Sequence, residues 1–336
     1  MAPWPASGRD QGHDARIDLH VAGKNLTLWI EAKTSLYPRD ARQALWRLKQ
    51  LRSRMAHGQA DNDQAVWLLI ANSISPGAKE MLKEERVGYF DSGGSLFLPA
   101  EAVYVYIDRP PPKSMERSMR SLFSGRKTQV LHTLLMRRGD WFGVTELAHA
   151  AQVSAATASQ VARELERSEW LELRGQGPSK ERHLRDPAGL LDTWAKQQSV
   201  SKPLPMRRYY VPSVRIDELM EKLDQVCTNR DVQYAVTHEA AGQRYAPFLS
   251  KVSQVRCRLL AGSSAERAIG DLEARTVNEG ANLVIIEAKS PGEFLFRERI
   301  ESTWLASPVQ VYLDLVRSEG RAKELAEHVR RERIRF

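Results

Sequence analysis

The sequence predicts a multidomain protein in which a small helical domain, ending in a β-hairpin, lies between two mixed α/β domains. The chain of 336 residues is long enough for two or three separate cores. Polar, proline-containing segments at residues 109–113 and 197–205 interrupt it and are typical of linkers. Strand-like and helical periodicities alternate in the outer parts. These observations predict domains at residues 1–110, 113–196 and 205–336.

The composition is that of an ordinary soluble protein, with 42% hydrophobic and 27% charged residues. No apolar run approaches the roughly 20 residues that span a membrane, and no signal-peptide core stands near residue 1. Cys227 and Cys257 are too few for a disulfide framework or a zinc site, so we expect a reducing cytoplasm and no membrane partner. The net charge of +8 favours a polyanionic partner.

The middle domain has the pattern of two helices that cross at a short turn. A first helix is predicted at residues 128–136 from its apolar spacing. Thr145 and Glu146 then begin a short helix that ends near Ala151, and Ser154 caps a longer helix to about Arg167. A helix, a turn of three to four residues and a second helix form the arrangement that reads DNA.

A basic hairpin follows, with a strand at residues 170–173, a turn at 174–180 and a return strand at 181–185. Its turn and return strand, residues 174–185, carry four basic residues and one acidic residue, Glu181, which leaves an excess of three positive charges there. Residues 126–186 resemble a MarR-type winged helix-turn-helix, and the resemblance implies binding to double-stranded DNA without a cofactor. A winged helix that contacts another protein is the alternative. The predicted DNA-contacting residues are Ser154, Ala155, Thr157, Ala158, Ser159, Arg163, Arg174, Lys180, Arg182 and Arg185.

The first domain begins with a predicted hairpin whose strands run over residues 15–21 and 26–33. A turn centred on Lys24 and Asn25 places Asp18 opposite Glu31 or within one residue of it. Glu31 and Lys33 lie two residues apart and share a sheet face. Two carboxylates can hold Mg²⁺, and a lysine beside them can activate water or offset developing charge.

A helix is predicted after the hairpin at residues 40–55, with Leu45, Leu48, Leu51 and Met55 buried. Gln43, Arg47 and Gln50 form a different stripe of this helix, which could face a metal ion or the DNA backbone.

Asp18, the Glu31-Ala32-Lys33 tripeptide and Gln43 together resemble the PD-(D/E)XK nuclease superfamily, and the resemblance covers residues 14–108. It implies a restriction-endonuclease-like α/β fold, metal binding by Asp18 and Glu31, and catalytic roles for Asp18, Glu31, Lys33 and Gln43. Members of that superfamily usually carry a helix and a strand ahead of the aspartate, and the 17 residues before Asp18 do not show them. Both an active Mg²⁺-dependent nuclease and an inactive DNA-docking domain therefore stay open.

The same tripeptide recurs as Glu287-Ala288-Lys289 at the end of an apolar run in the third domain. The acids upstream of it, Asp271 and Glu273, lie in a helix-like stretch at residues 265–275 rather than on a partner strand. We interpret this copy as a solvated strand end.

The third domain is predicted to be α+β, with a helix at residues 216–226 and strands at 255–260 and 283–286. Residues 234–241 and 306–315, with the winged helix, resemble the AbiEi family of antitoxin-like transcriptional regulators. The resemblance implies promoter binding, sometimes with a nucleotidyltransferase-type toxin encoded nearby. His238 and Glu239 are interpreted as a structural pair at a helix start, with acid–base chemistry as the alternative.

The sequence therefore predicts a transcriptional regulator that binds double-stranded DNA. One alternative is a Mg²⁺-dependent nuclease that the winged helix brings to DNA. Another is an antitoxin-like module that binds a toxin or another protein, and a homodimer is compatible with each.

Overall fold

The computed structural model describes residues 14–21, 23–55, 65–101, 103–110, 113–202, 205–212 and 215–336. Its chain forms two compact units, which we call the first unit (residues 1–120 with 163–169) and the second unit (residues 121–162 with 170–336). The protein is mixed α/β and multidomain, as predicted, and the division into three domains stays a prediction. No helix among the described residues is both long and apolar enough to cross a membrane.

The first unit is built on a six-stranded sheet in which the strands follow chain order from β1 to β6. Strands β2, β3 and β4 are parallel, and the outer pairs are antiparallel. The elements are β1 (Ala15–Val21), β2 (Lys24–Leu36), α1 (Pro38–Met55), β3 (Ala65–Ile74), α2 (Pro76–Glu84), β4 (Gly88–Asp91), β5 (Leu96–Pro99) and β6 (Tyr104–Ile107).

Helices α1 and α2 pack on one sheet face, because each presents an apolar stripe to it. Leu45 and Leu48 of α1 are buried as predicted, beside Leu69 of β3 and Leu82 of α2. The side chains of Leu51 and Met55, also predicted to be buried, lie outside the described residues. Helix α2 begins where Ser75 Oγ accepts the Ala78 N–H at 3.3 Å, which satisfies one free donor of its first turn.

The helical segment between residues 113 and 199 matches the predicted order of helices and hairpin. Ser154 Oγ accepts the Thr157 N–H at 3.2 Å, so α6 begins at its predicted cap. Helices α3 and α7 were not predicted, and α7 runs through residues 197–199 of the proposed linker. The elements are α3 (Lys113–Leu122), α4 (Lys127–Met136), α5 (Val144–Ala150), α6 (Ala155–Arg167), β7 (Leu171–Arg174), β8 (Glu181–Leu184) and α7 (Pro187–Ser199).

The second unit contains a seven-stranded mixed sheet in the order β12-β9-β13-β11-β10-β15-β14. Strand β11 runs parallel to β13 and antiparallel to β10. The predicted helix at 216–226 and strands at 255–260 and 283–286 are confirmed. The elements are β9 (Met206–Tyr210), α8 (Ile216–Asn229), β10 (Tyr234–Thr237), α9 (His238–Tyr245), β11 (Val255–Leu260), α10 (Ser263–Asp271), β12 (Arg275–Thr276), β13 (Leu283–Ala288), β14 (Glu298–Ile300), β15 (Thr303–Leu305), α11 (Pro308–Leu315) and α12 (Arg321–Val329).

Candidate DNA-binding surface and candidate nuclease site

The amino-terminal turn of α6 presents small side chains to solvent. Ser154 and Ala155 are exposed, and Thr157 and Ser159 are half-buried. The hydroxyls of Ser154 and Thr157 lie 3.0 Å apart. Short polar side chains on a protruding helix end are compatible with entry into a major groove.

Ala158 was predicted to face DNA, and that prediction is wrong. Its side chain is fully buried, as are those of Val161, Ala162 and Leu165. These four residues recur at spacings of three and four along α6, so they form the stripe that packs into the core. The sequence carried this signal, because alanine continues an apolar stripe as readily as it lines a small exposed face.

The carboxyl-terminal part of α6 lies in the first unit, where charged contacts hold it. The Arg42 guanidinium binds the Glu169 carboxylate through two hydrogen bonds of 2.6 and 2.7 Å. Arg167 lies 4.0 Å over the Tyr37 ring and donates to Ser35 Oγ. Arg163 is exposed. Arg167 and Glu169 are thus engaged in protein contacts, whereas the first turn of α6 is exposed.

The basic side chains of the β7–β8 hairpin differ in their exposure and in the contacts that they make. Arg174 is paired with Glu181 at 2.6 Å and stacks 4.4 Å over Trp141. Arg182 is half-buried and donates to the Lys180 carbonyl, whereas Arg185 is exposed. The hairpin therefore keeps its net positive charge, but Glu181 compensates part of it.

The candidate nuclease site centres on Glu31, which is 6% exposed although it is charged. Its Oε1 atom lies 2.8 Å from Lys33 Nζ and 2.7 Å from Arg47 Nη2. Glu31 and Lys33 share the sheet face that α1 covers, as the spacing predicted. Gln43 is exposed one turn before Arg47, so it is Arg47 that reaches Glu31 from α1.

Asp18 does not lie opposite Glu31, and the predicted pairing is wrong. The hairpin turn is tighter than expected, because Val21 already pairs with Lys24, and Asp18 therefore pairs with Thr27. Thr27 and Glu31 are four residues apart, which is about 13 Å along a strand. Hydrogen bonds from Thr27 (2.7 Å) and Arg16 (3.0 Å) engage the Asp18 carboxylate and lower its pKa. The Asp18 carboxylate is therefore hydrogen-bonded to Thr27 and Arg16, away from Glu31.

Asp14 takes the place beside Glu31 that the sequence analysis gave to Asp18. Its N–H donates to the Ile30 carbonyl, and its carboxylate accepts the Ala32 N–H at 2.7 Å. The Ala32 amide lies between Glu31 and Lys33, so Asp14 is the aspartate next to the tripeptide. The position of the hairpin turn was the signal available in the sequence. A turn centred two residues earlier than Lys24 and Asn25 shifts the pairing of the two strands by four residues.

The second copy of the tripeptide is a solvated strand end, as predicted. Glu287 is exposed at the end of β13 and lies 3.3 Å from Arg207 Nε. Of the two upstream acids, Asp271 is bound by Nε and Nη2 of Arg230 instead. Among the described residues, no group of three or more His, Cys, Asp or Glu side chains could hold a metal ion.

His238 and Glu239 begin α9, as predicted, and they adjoin a buried charge cluster that sequence reasoning missed. Asp314 of α11 is buried and accepts from Arg258 at 2.7 Å and from Thr237 Oγ1 at 2.6 Å. Burial raises the pKa of Asp314, but the charges of Arg258 and His238 and these hydrogen bonds outweigh it, so the net shift is downward. The alternation of Arg256 and Arg258 in an otherwise apolar strand was the available signal.

Comparison of the chain with family models, with curated proteins and with solved structures finds no match in any of the three.

Proposed function

We propose that the protein binds double-stranded DNA through a winged helix-turn-helix made of α4, α5, α6 and the β7–β8 hairpin, and acts as a transcriptional regulator. One observation carries the proposal: the first turn of α6 exposes Ser154 and Ala155 to solvent, and the hairpin that follows α6 in the chain carries Arg174 and Arg182. The turn between α5 and α6, residues 151–154, has the length of a helix-turn-helix turn.

The two parts of this surface would do different work. Side chains at the start of α6 would contact base edges, which differ between sequences in the major groove. The arginines and the lysine of the hairpin would contact phosphates, which give affinity without sequence preference. The net charge of +8 would assist this attraction at low salt.

The test replaces Arg174, Lys180 and Arg182 together by alanine and measures affinity for duplex DNA by fluorescence anisotropy over a series of salt concentrations. Each lost phosphate contact should reduce the slope of log affinity against log salt by about 0.9. We expect a decrease of about 2, since Arg174 is partly compensated by Glu181.

The matched control removes three other exposed positive charges of the second unit, those of Arg230, Arg267 and Lys323. This control variant should bind DNA like the original protein. Equal losses in both variants would show that net charge alone attracts DNA, and an unchanged salt slope in the hairpin variant would contradict the proposal.

A second candidate function, a Mg²⁺-dependent nuclease, is favoured by the position of Asp14. The Asp14 carboxylate accepts the Ala32 N–H, one residue after Glu31, and the Glu31 carboxylate contacts Lys33. Two carboxylates, with water and phosphate oxygens, suit the octahedral coordination of Mg²⁺. Asp14 and Glu31 would hold the ion once Arg47 releases Glu31, and the ion would supply an activated water and charge stabilisation. Lys33 would orient the scissile phosphate.

Supercoiled plasmid incubated with Mg²⁺ or with EDTA tests this candidate. Cleavage that requires Mg²⁺ and is lost in Asp14→Asn and in Lys33→Met, but kept in Asp18→Asn, would establish it. Loss in Asp18→Asn with retention in Asp14→Asn would reverse the assignment. Binding without cleavage would leave the first unit as a DNA-docking domain.

A further inference from the structure

A cavity of about 570 Å³ lies on one face of the sheet in the second unit. This volume is within the range of small-molecule sites in proteins, about 300 to 1,000 Å³. The charged and polar residues that line it and are suited to binding a ligand include Arg208, Arg256, Arg317, His238 and Glu239. None of these residues belongs to the proposed DNA-binding surface.

The sheet itself brings two of the arginines together. Arg256 of β11 and Arg208 of β9 both pair with Val284 of β13, one from each side. Residues that pair across neighbouring strands point to the same face, so the two guanidinium groups rise from one row of the sheet. Arg317, just beyond α11, supplies a third guanidinium, which Gln198 and the Lys202 carbonyl hold in place.

The amino-terminal end of α9 faces the same cavity. Thr237 occupies the cap position but makes no side-chain cap, because its hydroxyl donates to Asp314 instead. The free N–H groups at the start of this eight-residue helix, with the positive end of its dipole, attract an anion.

His238 provides an independent observation that points to a ligand. Its side chain is 4% exposed, and within the described part of the chain its Nδ1 atom has no hydrogen-bond partner. Its backbone φ is +55°, which is unusual for a residue with a side chain. A buried polar atom without a partner and a strained backbone both carry a cost, and such costs concentrate where a ligand is bound.

The charges of the cavity favour an anion. Asp314 also lines it, but Arg258 neutralises that carboxylate at 2.7 Å. The three arginines then exceed Glu239 and Glu319, the other acids of the wall. Burial lowers the pKa of His238, with Arg256 and Arg258 acting in the same direction against Asp314 and Glu239. This favours the neutral ring, whose Nδ1 can either donate or accept.

We propose that this cavity binds a small phosphate-bearing metabolite of up to mononucleotide size, with the phosphate on Arg208, Arg256 and the start of α9. Guanidinium forks match the oxygens of a phosphate in pairs, and the helix end adds backbone donors. His238 Nδ1 would contact the uncharged part of the ligand. The site would give the proposed regulator an effector, and its binding can be measured whether or not the protein binds DNA.

Calorimetry of the full chain with inorganic phosphate, AMP and adenosine tests the proposal. AMP should bind saturably, and inorganic phosphate should bind more weakly than AMP. Adenosine should also bind more weakly than AMP, because it lacks the phosphate that the arginines contact. The double variant Arg208→Gln with Arg256→Gln should lose at least about tenfold in AMP affinity, which one charge-assisted contact accounts for. The control Arg230→Gln removes an exposed arginine of the same unit that is paired with Asp271 and should bind AMP normally.

A second variant, His238→Asn, tests the wall without changing its charge, and asparagine tolerates a positive φ. This substitution should lower the affinity for AMP more than the affinity for inorganic phosphate. The proposal is overturned if neither phosphate nor AMP binds saturably, if adenosine binds as tightly as AMP, or if the double variant binds AMP like the control. It is also overturned if the double variant lowers only the salt slope for DNA, because the arginines would then belong to a DNA surface.

Discussion

The two Glu-Ala-Lys tripeptides of this chain lie on strands of two different sheets, yet their glutamates have opposite environments. Glu31 is inside β2, under α1, and two cations contact one of its oxygens. Glu287 stands at the end of β13, exposed, with Arg207 at 3.3 Å. The neighbouring Lys33 bends back to its glutamate, whereas the Lys289 N–H donates to Glu293. Identical tripeptides thus differ because one lies beneath a helix and the other at a solvated strand end.

In the second unit the buried carboxylate is Asp314 rather than Glu287. Both Asp314 and its partner Arg258 are almost wholly removed from solvent, whereas Lys33 and Arg47 are partly exposed. We therefore expect burial of both partners, rather than the tripeptide, to decide how much each acidic side chain contributes to stability.

Asp314→Ala should give the largest effect, because it leaves the Arg258 charge buried without its partner. We expect the free energy of unfolding to fall by about 3–5 kcal/mol. Replacing both partners, Asp314→Leu with Arg258→Met, should cost much less. Unfolding of this unit can be followed by reaction of Cys227 and Cys257 with a thiol reagent, because both are buried and burial raises the pKa of Cys227 to about 12. A loss below about 1 kcal/mol in Asp314→Ala would show that the buried Arg258–Asp314 pair contributes no more than an exposed pair.

His132 of α4 should contribute a pH dependence to the stability of the second unit. Burial, with the charge of Arg258, lowers its pKa from 6.5 to about 4, and its Nε2 lies 2.5 Å from Ser307 Oγ. The neutral ring is favoured in the fold, so its contribution is complete above pH 6.5 and is lost as the pH falls towards 4. The change is about 3 kcal/mol, from 1.36 kcal/mol per pKa unit.

The measurement is the unfolding free energy of the original protein and of His132→Gln at neutral pH and near pH 4. The glutamine variant should lose less stability on acidification, since it has no ring to protonate. Equal acid sensitivity of the two proteins would show that His132 is not protonated on unfolding.

The smallest predicted effect is the difference between Glu31→Gln and Glu287→Gln in the free energy of unfolding. We expect Glu31→Gln to cost about 1–3 kcal/mol, because two charge-assisted contacts lose their acceptor charge. Glu287→Gln should stay within about 0.5 kcal/mol. Amide hydrogen exchange in β2 and β13 of each variant gives the local values, and similar protection losses in both strands would remove the distinction.

Much of the local structure could be predicted because it depends on neighbours in sequence. The cap at Ser154, the helix to Arg167 and the hairpin after it were predicted to within a few residues. The helices α3 and α7 were missed, since proline and polar residues near their ends resemble linkers. Helix α7 forms because Asp186 caps Gly189 at 2.8 Å and Leu190, Leu191 and Trp194 are buried.

The candidate nuclease site was only partly predictable. Glu31, Lys33 and Arg47 follow from strand and helix periodicity and do share one face. Which aspartate lies beside them could not be predicted. The pairing of the two strands depends on where the hairpin turn is centred, and the turn can move by one or two residues while both segments remain strands. Asp18 and Asp14 fit the same spacing pattern equally well until that turn is seen.

Most helices and strands, though not α3 and α7, could be predicted from the sequence, because capping residues and apolar periodicity act over a few neighbours. The sequence also determined the basic character of the hairpin and of the whole chain. Only the folded chain shows that Asp14 binds the Ala32 amide next to Glu31, that Ala158 is buried, and that Arg208, Arg256 and His238 line one cavity. The physical reason is that these contacts join residues distant in sequence, whose meeting depends on strand order and register rather than on any local pattern.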